Sequence, residues 1–276
     1  MSIANFIKEE FIVDFKKVLS YKLSFMTDLF IFAAVIISIF ISGVDASYAE
    51  SFNVDAFSGK MLVLIGFISW QVSTMALGWS SINIRSQSLS GTLELKMQSK
   101  YPLELMIFIE MLTYLIFSCI SLTLIYTLFI FTEVNNVGDI KFVLLSYLIA
   151  FPGVIGMYGI GLILGGISLR QKEVGNLVFI LQTLLFFLSD INSVRSGVFN
   201  LIPFNAGIKI IRYMYLGKPI EYSLPIIYIL ANLAWILIGI FVFRKLLDRE
   251  RIDGSFNNYW YIFTLLNNIQ KRLLIT

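Results

Sequence analysis

The sequence has no histidine and a single cysteine, Cys119, which lies inside an apolar run. The absence of histidine removes the commonest general base and metal ligand, and it excludes Ser-His-Asp and Cys-His nucleophilic sites. One cysteine cannot form a disulfide framework. No Gly-x-x-x-x-Gly-Lys-Ser/Thr phosphate loop occurs, so the chain cannot bind and hydrolyse ATP by that route. We therefore expect no catalytic residue, no metal site and no cofactor in this chain.

Charge is also scarce. Only 14% of the 276 residues are charged and 58% are hydrophobic, with a mean hydropathy of +0.82. A soluble domain is roughly 45–50% apolar and about 25% charged, and a chain of this length has too little interior to hide the surplus. The composition therefore predicts an all-α membrane protein. The net charge of +3 is too small to indicate nucleic-acid binding.

A transmembrane helix needs about 20 mostly apolar residues. Six segments meet this requirement: 25–43, 61–84, 104–131, 141–168, 174–190 and 222–244. We expect a six-helix transmembrane domain at 25–244 and a C-terminal tail at 245–276. The N-terminus lacks the features of a signal peptide, so we expect the first span to be retained.

The basic residues predict an orientation. Most of the 21 Lys and Arg residues fall on the side that holds both termini, which by the positive-inside rule is the cytoplasm. The other side holds Lys60, Lys141, Arg195, Lys209, Arg212 and Lys218. Four of these six crowd the loop at 189–221, which is an exception to the rule.

Residues 1–24 precede the first span. Apolar residues recur there at helical spacing: Ile3, Ile7, Phe11, Phe15 and Val18. This pattern favours an amphipathic helix that lies in the membrane interface, and a short cytoplasmic helix packed on another domain is the alternative.

The cytoplasmic segment 86–102, between the second and third spans, is the most informative stretch. Gly91 can end one helix and Thr92 can cap the next, while Pro102 suits the start of the third span. We expect Leu93, Leu95 and Met97 to supply the apolar contacts of the short helix between them. A short helix held at the surface between two spans suits contact with a soluble partner.

This segment resembles the "GTLE … P" signature of ABC-2-type (type V) exporter permeases through Gly91, Thr92, Leu93, Glu94 and Pro102. The later stretch from Ser196 to Arg212 is similar to the family's "SGV … P … R" motif. Two details depart from the family pattern: the interval between Ser99 and Pro102 is long, and a proline is missing between Gly197 and Leu201.

The resemblance implies a non-catalytic permease subunit of an ATP-driven exporter in the bacterial plasma membrane. Segment 86–102 would be the coupling helix, which docks on an ATPase that itself binds ATP and Mg²⁺. Two ATPase copies and a second permease copy, as a homodimer or a heterodimer, complete the family's assembly. Short helices at 189–221 would re-enter the membrane from outside, with Arg195, Lys209 and Arg212 near the outer lipid headgroups.

In the family the second and fifth spans line the translocation path. This implies a path role for Gln71, Thr74, Gln182 and Arg212. The alternative for the three uncharged residues is hydrogen bonding between helices. For Arg212, the two alternatives are a role in gating and a lipid-phosphate anchor. Arg170 is a second ATPase contact or part of a solvated turn. For Glu110 we favour pairing with a basic group over a substrate role, and we expect Gly161 and Gly165 to serve helix packing.

The expected cargo is amphipathic or hydrophobic, such as a drug, a peptide or a lipid-like molecule. The alternatives are an exporter of polysaccharide or lipid-linked glycan and an ion-driven secondary transporter. The latter should carry paired midplane charges and inverted repeats, and neither is visible. A membrane enzyme or scaffold is the remaining class. Without histidine its catalytic version is weak, and a scaffold needs no coupling signature.

Overall fold

The computed structural model describes residues 3–20, 27, 30, 33–38, 41–129, 140–171, 174–191 and 197–253. Within these ranges every regular element is a helix, which confirms the all-α fold. The α-helices are α1 (Ile3–Ser20), α2 (Val44–Phe52), α3 (Ala56–Leu89), α4 (Thr92–Met97), α5 (Leu103–Phe129), α6 (Ile140–Gln171), α7 (Gly175–Phe187), α8 (Asn205–Tyr215) and α9 (Ser223–Asp253). Residues 33–38 are also helical, and a 3₁₀ turn spans Gly197–Leu201.

Four helices, α3, α5, α6 and α9, are long and apolar enough to cross a membrane. They correspond to the second, third, fourth and sixth predicted spans. The first predicted span, 25–43, falls largely outside the described residues. Helix α7 has 13 residues, which at 1.5 Å per residue is about 20 Å and shorter than a bilayer core of about 30 Å. The sixth predicted span ends at 244, whereas α9 continues to Asp253.

Helix α3 is the centre of the molecule. In its most apolar 18-residue window 89% of the residues are buried, against 28% in the corresponding window of α9. Its buried face carries large aliphatic side chains together with small polar ones. Ser69, Ser80 and Ser81 are each fully buried and donate to backbone carbonyls one turn earlier in the same helix. These internal hydrogen bonds satisfy the hydroxyls without a partner from another helix.

Helix α6 packs between α3 and α9, and its glycines permit close contact with each of these two helices. A Cβ atom on Gly161 would lie 2.0 Å from the Ser80 hydroxyl of α3. On the other face, a Cβ on Gly159 would lie 2.4 Å from the backbone carbonyl oxygen of Trp235 in α9. Small residues let two helix backbones come this close. The predicted packing role of Gly161 and Gly165 is therefore confirmed.

Helix α6 continues through Pro152 with help from α9. The Gly153 amide donates to the Tyr228 hydroxyl at 2.9 Å, and that hydroxyl donates to the Ile149 carbonyl at 2.8 Å. Tyr228 thus bridges a donor and an acceptor that an α-helix normally joins directly. The side chain of α9 thereby restores the hydrogen bonding of α6 beside its proline.

The directions of the helices define two ends. Contacts of Gly153 with Ser73 and of Gly165 with Ile84 make α3 and α6 parallel. Helices α5 and α7 run the opposite way. We call the end that carries α4 the Lys96 end, where α3 finishes and α5 begins. The opposite end, where α3 begins and α7 finishes, is the Arg212 end.

Helix α1 packs alongside α5. Phe11 and Phe15 both contact Phe117, with ring centroids 5.2 and 5.6 Å apart. Phe117 lies 14 residues into α5, about 20 Å along its axis at the usual helical rise. A helix across the end of α5 cannot reach that far. Aromatic packing therefore holds α1 along the side of α5, and its position relative to a membrane stays a prediction.

Candidate functional site

Segment 86–102 contains the predicted short helix, α4. Gly91 precedes α4 with φ of +73°, a left-handed conformation that glycine adopts without steric cost. Gly91, rather than Thr92, is therefore the N-cap, and our capping assignment for Thr92 was wrong. Thr92 is the first helical residue, and its hydroxyl lies 2.8 Å from the Ser90 hydroxyl and 3.3 Å from the Gln87 carbonyl. These contacts join α4 to the end of α3.

Helix α4 has one inward and one outward face. Leu93 is fully buried and Met97 is partly buried. Leu95 is 67% exposed, so our expectation that it packs inward was wrong. Thr92 and Glu94 are exposed as well. The outward face of α4 therefore offers one acidic and one large apolar side chain on a firmly seated helix.

A polar cluster holds α4 to the body of the protein. Lys96 of α4 forms an ion pair with Glu110 of α5. Glu110 is 4% exposed and also accepts from Asn83 at 2.9 Å and from Gln87 at 2.7 Å, both in α3. The expected pairing of Glu110 with a basic group is confirmed. The Glu110 carboxylate joins α3, α4 and α5 at one point.

Two further predicted contacts lie at the Lys96 end. Pro102 immediately precedes α5, and its carbonyl accepts from the amides of Leu105 and Met106. Arg170 is exposed in the last turn of α6, at the same end as α4. The neighbouring Lys172 lies outside the described residues. The exposed residues Glu94 of α4 and Arg170 of α6 thus lie at the same end of the molecule.

A cavity of about 380 Å³ lies between α3, α7 and the helical residues 33–38. Its lining consists of Val35, Phe67, Trp70, Gln71, Thr74, Met75, Phe179, Gln182, Thr183 and Phe186. Three of the four residues predicted for the path, Gln71, Thr74 and Gln182, are in this lining. The fourth, Arg212, is not. Most of the lining is apolar or aromatic, as is usual for sites that take small organic molecules.

The polar residues of the cavity also join helices. Gln182 of α7 donates to the Thr74 carbonyl of α3 at 3.0 Å. Gln71 accepts from the Tyr126 hydroxyl of α5 at 2.7 Å. Gln71 and Gln182 therefore line the cavity and also bond between helices, whereas their role in a translocation path stays a prediction.

Arg212 lies at the other end and is buried. Its side chain is 2% exposed, and its guanidinium donates to the Leu62 carbonyl at 2.9 Å and to the Asp190 carbonyl at 2.7 Å. It also donates to the Tyr48 hydroxyl at 3.1 Å and lies 4.3 Å from the centre of that ring. Our expectation that Arg212 reaches the outer headgroups was wrong, because protein carbonyls and an aromatic ring take the place of lipid phosphate around it.

Lys209, one turn before Arg212, is also buried rather than directed to headgroups. Its ammonium donates to Asn200 at 2.7 Å and lies 3.7 Å from the Asp190 carboxylate. The Asn205 side chain accepts a hydrogen bond from the Asp190 amide and donates to the Leu188 and Phe199 carbonyls. These contacts fix the junction of α7 and α8. The remaining basic residue of this loop, Arg195, lies outside the described residues, as does Ser196 of the second motif.

Sequence reasoning missed several residues of these clusters. Tyr48, Gly66 and Asp190 meet Arg212 from distant parts of the chain, and their sequence separations leave no local pattern. Asn83 and Gln87 were detectable in part, since they stand four residues apart near the end of an apolar helix and so share one face. That spacing indicates a polar stripe but does not identify Glu110 as its partner.

Within the described ranges, no group of three or more metal-ligating side chains is close enough to hold a metal ion. No protein-family model matches the chain, and no curated protein matches it.

Proposed function

We propose that this chain is the permease subunit of an ATP-driven exporter of the ABC-2 type. The observation that carries the proposal is α4, a six-residue helix at the junction of two long apolar helices, with Glu94 and Leu95 exposed. If the chain uses the energy of ATP without a phosphate loop of its own, a partner must supply it, and an exposed helix of this kind is a suitable contact for one. The motif "GTLE … P" occupies this element.

The contacts of α4 give a path for displacement. A force on α4 acts on Glu110 through Lys96 and on the buried pocket of Leu93. Glu110 is bonded to α3 through Asn83 and Gln87, so α3 moves with α4 and α5. Helix α3 forms one wall of the cavity, which therefore changes shape when α4 is pushed. Exposed Arg170 at the same end supplies the second, smaller ATPase contact.

The cavity between α3 and α7 is the proposed part of the translocation path within one subunit. Its apolar and aromatic lining favours an amphipathic or hydrophobic cargo over a glycan, which would need many hydrogen-bonding partners. Gln71, Thr74 and Gln182 would meet the polar part of such a cargo. A second copy of the permease would complete the path.

The full assembly follows from the same proposal. Two ATPase subunits bind ATP and Mg²⁺ at the Lys96 end, which faces the cytoplasm of a bacterial cell with both termini. Six spans per subunit require the segment around 33–38 and helix α7 to cross as well. The 3₁₀ turn and α8 correspond to the short re-entrant helices.

The proposal predicts that a phosphate-loop ATPase co-purifies with the chain and that Glu94→Arg abolishes substrate-stimulated ATP hydrolysis. The substitution reverses the charge on the exposed face of α4 while the buried contacts of Leu93 and Lys96 remain. A matched control is Glu221→Arg, an exposed charge reversal at the Arg212 end. Membrane insertion should be unchanged in both variants, and unchanged transport by Glu94→Arg would contradict the coupling role.

A further inference from the structure

Arg212 connects the two walls of the cavity. Helix α3 supplies the lining residues from Phe67 to Met75, and α7 supplies those from Phe179 to Phe186. The guanidinium of Arg212 donates to the Leu62 carbonyl on the first wall and to the Asp190 carbonyl just beyond the second. One side chain therefore links both walls.

The contacts of Arg212 with Leu62 and Asp190 lie just beyond one end of the cavity. Leu62 precedes the first lining residue of α3 by five positions, about 8 Å along the helix. Asp190 follows the last lining residue of α7 by four positions. Both positions are displaced toward the Arg212 end. The walls are also joined farther in by Gln182 and the Thr74 carbonyl, and by the rings of Trp70 and Phe186, whose centroids lie 4.9 Å apart. The Arg212 contacts lie beyond both, toward the Arg212 end.

The surroundings are shaped to hold the guanidinium. A Cβ on Gly66 would lie 2.4 Å from one guanidinium nitrogen and 3.1 Å from the guanidinium carbon. Only glycine at this position lets the group lie against the backbone of α3. Tyr48 of α2 stacks on the guanidinium and donates its hydroxyl to the Asp190 carbonyl, the same acceptor that Arg212 uses. Four elements thus meet at Arg212: α2, α3, the end of α7 and α8.

We propose that Arg212 is the lock of an outer gate, which keeps the cavity closed toward the Arg212 end until α3 and α7 separate. Separation breaks the bonds to both carbonyls, and α8 moves with Arg212 because it carries that residue. The rigid fork of a guanidinium donates to two acceptors in different directions, which a single ammonium cannot do with the same geometry. Arg212 is in this sense a positioning residue. The inference rests on the proposed function in one respect, that the cavity belongs to the translocation path.

The test measures access to the cavity from outside. In a Cys119→Ala background, Thr74→Cys places a thiol at a lining position that is 4% exposed. Intact cells are treated with a membrane-impermeant maleimide, without any added ATPase or nucleotide. We expect slow labelling with Arg212 present and an increase on the order of tenfold with Arg212→Lys, the change that follows from losing about one charge-assisted hydrogen bond. Gly66→Ala should raise labelling in the same direction, since its methyl group displaces the guanidinium.

Two controls separate opening from unfolding. Arg249→Lys, a substitution of an exposed arginine at the Lys96 end, should leave the labelling unchanged. Ser73→Cys reports on a fully buried position beside Thr74 that faces Gly153 of α6 instead of the cavity. It should stay unlabelled when combined with Arg212→Lys or Gly66→Ala. If both lock variants leave position 74 unlabelled, the lock is overturned. If position 73 becomes labelled together with position 74, Arg212 is a general stabilising residue and the lock is likewise overturned.

The same design separates the lock from the function. Labelling is read on the chain itself, so it does not depend on ATPase binding. Increased labelling at position 74 without any co-purifying ATPase would overturn the proposed function and leave the lock standing. An ATPase that binds through α4, together with unchanged labelling in both lock variants, would overturn the lock alone.

Discussion

The two ends of the molecule hold their polar groups in different ways. At the Lys96 end, one ion pair and one buried leucine attach a six-residue helix whose outer face is open. At the Arg212 end, a fully buried guanidinium binds two backbone carbonyls and an aromatic ring from three other elements. In the proposed function, the first arrangement would pass a displacement of α4 to α3 and α5. The second holds several elements in one fixed position.

The difference lies in what remains when the cation is removed. Lys96 has a side chain that is 19% exposed, and its partner Glu110 keeps two amide donors from Asn83 and Gln87. Without Arg212, the Leu62 and Asp190 carbonyls each lose a charged donor, and the space beside Gly66 becomes empty. Loss of a partner from a buried polar cluster is far more costly than loss of a partly solvated charge.

The largest effect on stability should come from Arg212→Ala. It removes three donated hydrogen bonds and leaves a cavity, so we expect a loss of about 3–5 kcal/mol in the free energy of unfolding. Thermal unfolding in detergent measures this, with Arg249→Ala as the exposed control. If the two variants melt at the same temperature, the Arg212 end is not the fixed end of the molecule.

Lys96→Met tests the Lys96 end, where the loss of stability should be smaller than at the Arg212 end. The methionine keeps most of the apolar stem, and the buried Glu110 carboxylate loses its cation but retains two amide donors, so we expect a stability loss of about 2 kcal/mol. Substrate-stimulated ATP hydrolysis should nevertheless fall strongly, because α4 loses its ionic link to α5. Lys245→Met, an exposed substitution at the same end, should change neither quantity. A stability loss as large as that of Arg212→Ala would remove the distinction between the ends.

The smallest effect concerns the start of α3. Asp55 caps this helix, accepting from the Ser58 amide at 3.3 Å and from the Ser58 hydroxyl at 2.7 Å. These bonds, chiefly the one from the hydroxyl, hold the pKa of Asp55 below its ordinary value of 3.8. Removal of an N-cap by Asp55→Ala should cost about 1 kcal/mol.

The pH dependence of that effect follows from the lowered pKa. The contribution of the Asp55 carboxylate is present above its unfolded pKa and disappears as the pH falls through the lower folded value. The difference in melting temperature between wild type and Asp55→Ala should therefore be constant near neutral pH and shrink in acid. A difference that grows in acid would contradict this assignment.

The long helices were predictable because their apolar runs exceed anything that a soluble core requires. The residues at which these helices begin and end were not predictable, and α3 illustrates the reason. The predicted span starts at 61 because Lys60 interrupts the apolar run, yet the helix begins at Ala56 behind an Asp55 cap. Hydropathy reports where a helix can meet lipid, whereas capping residues decide where it begins.

The candidate site was predictable only where the signal is local. Gly91, Leu93 and Glu94 lie within one short segment, and their turn and helix follow from neighbouring residues. Arg212 illustrates the opposite case: its charge suggested a lipid headgroup, but its three acceptors lie 22, 150 and 164 residues away in the chain. Burial of an arginine depends on a site built by other elements, and a single sequence does not contain that information in local form.

The most direct measurement asks which end of the molecule contacts an ATPase. A photo-crosslinking amino acid is placed at Leu95, on the outer face of α4, or at Lys218, an exposed position of the Arg212 end. The account predicts that irradiation of native membranes joins position 95, but not position 218, to a protein that contains a phosphate loop and hydrolyses ATP. Equal yields at the two positions, or no ATPase adduct at position 95, would contradict it.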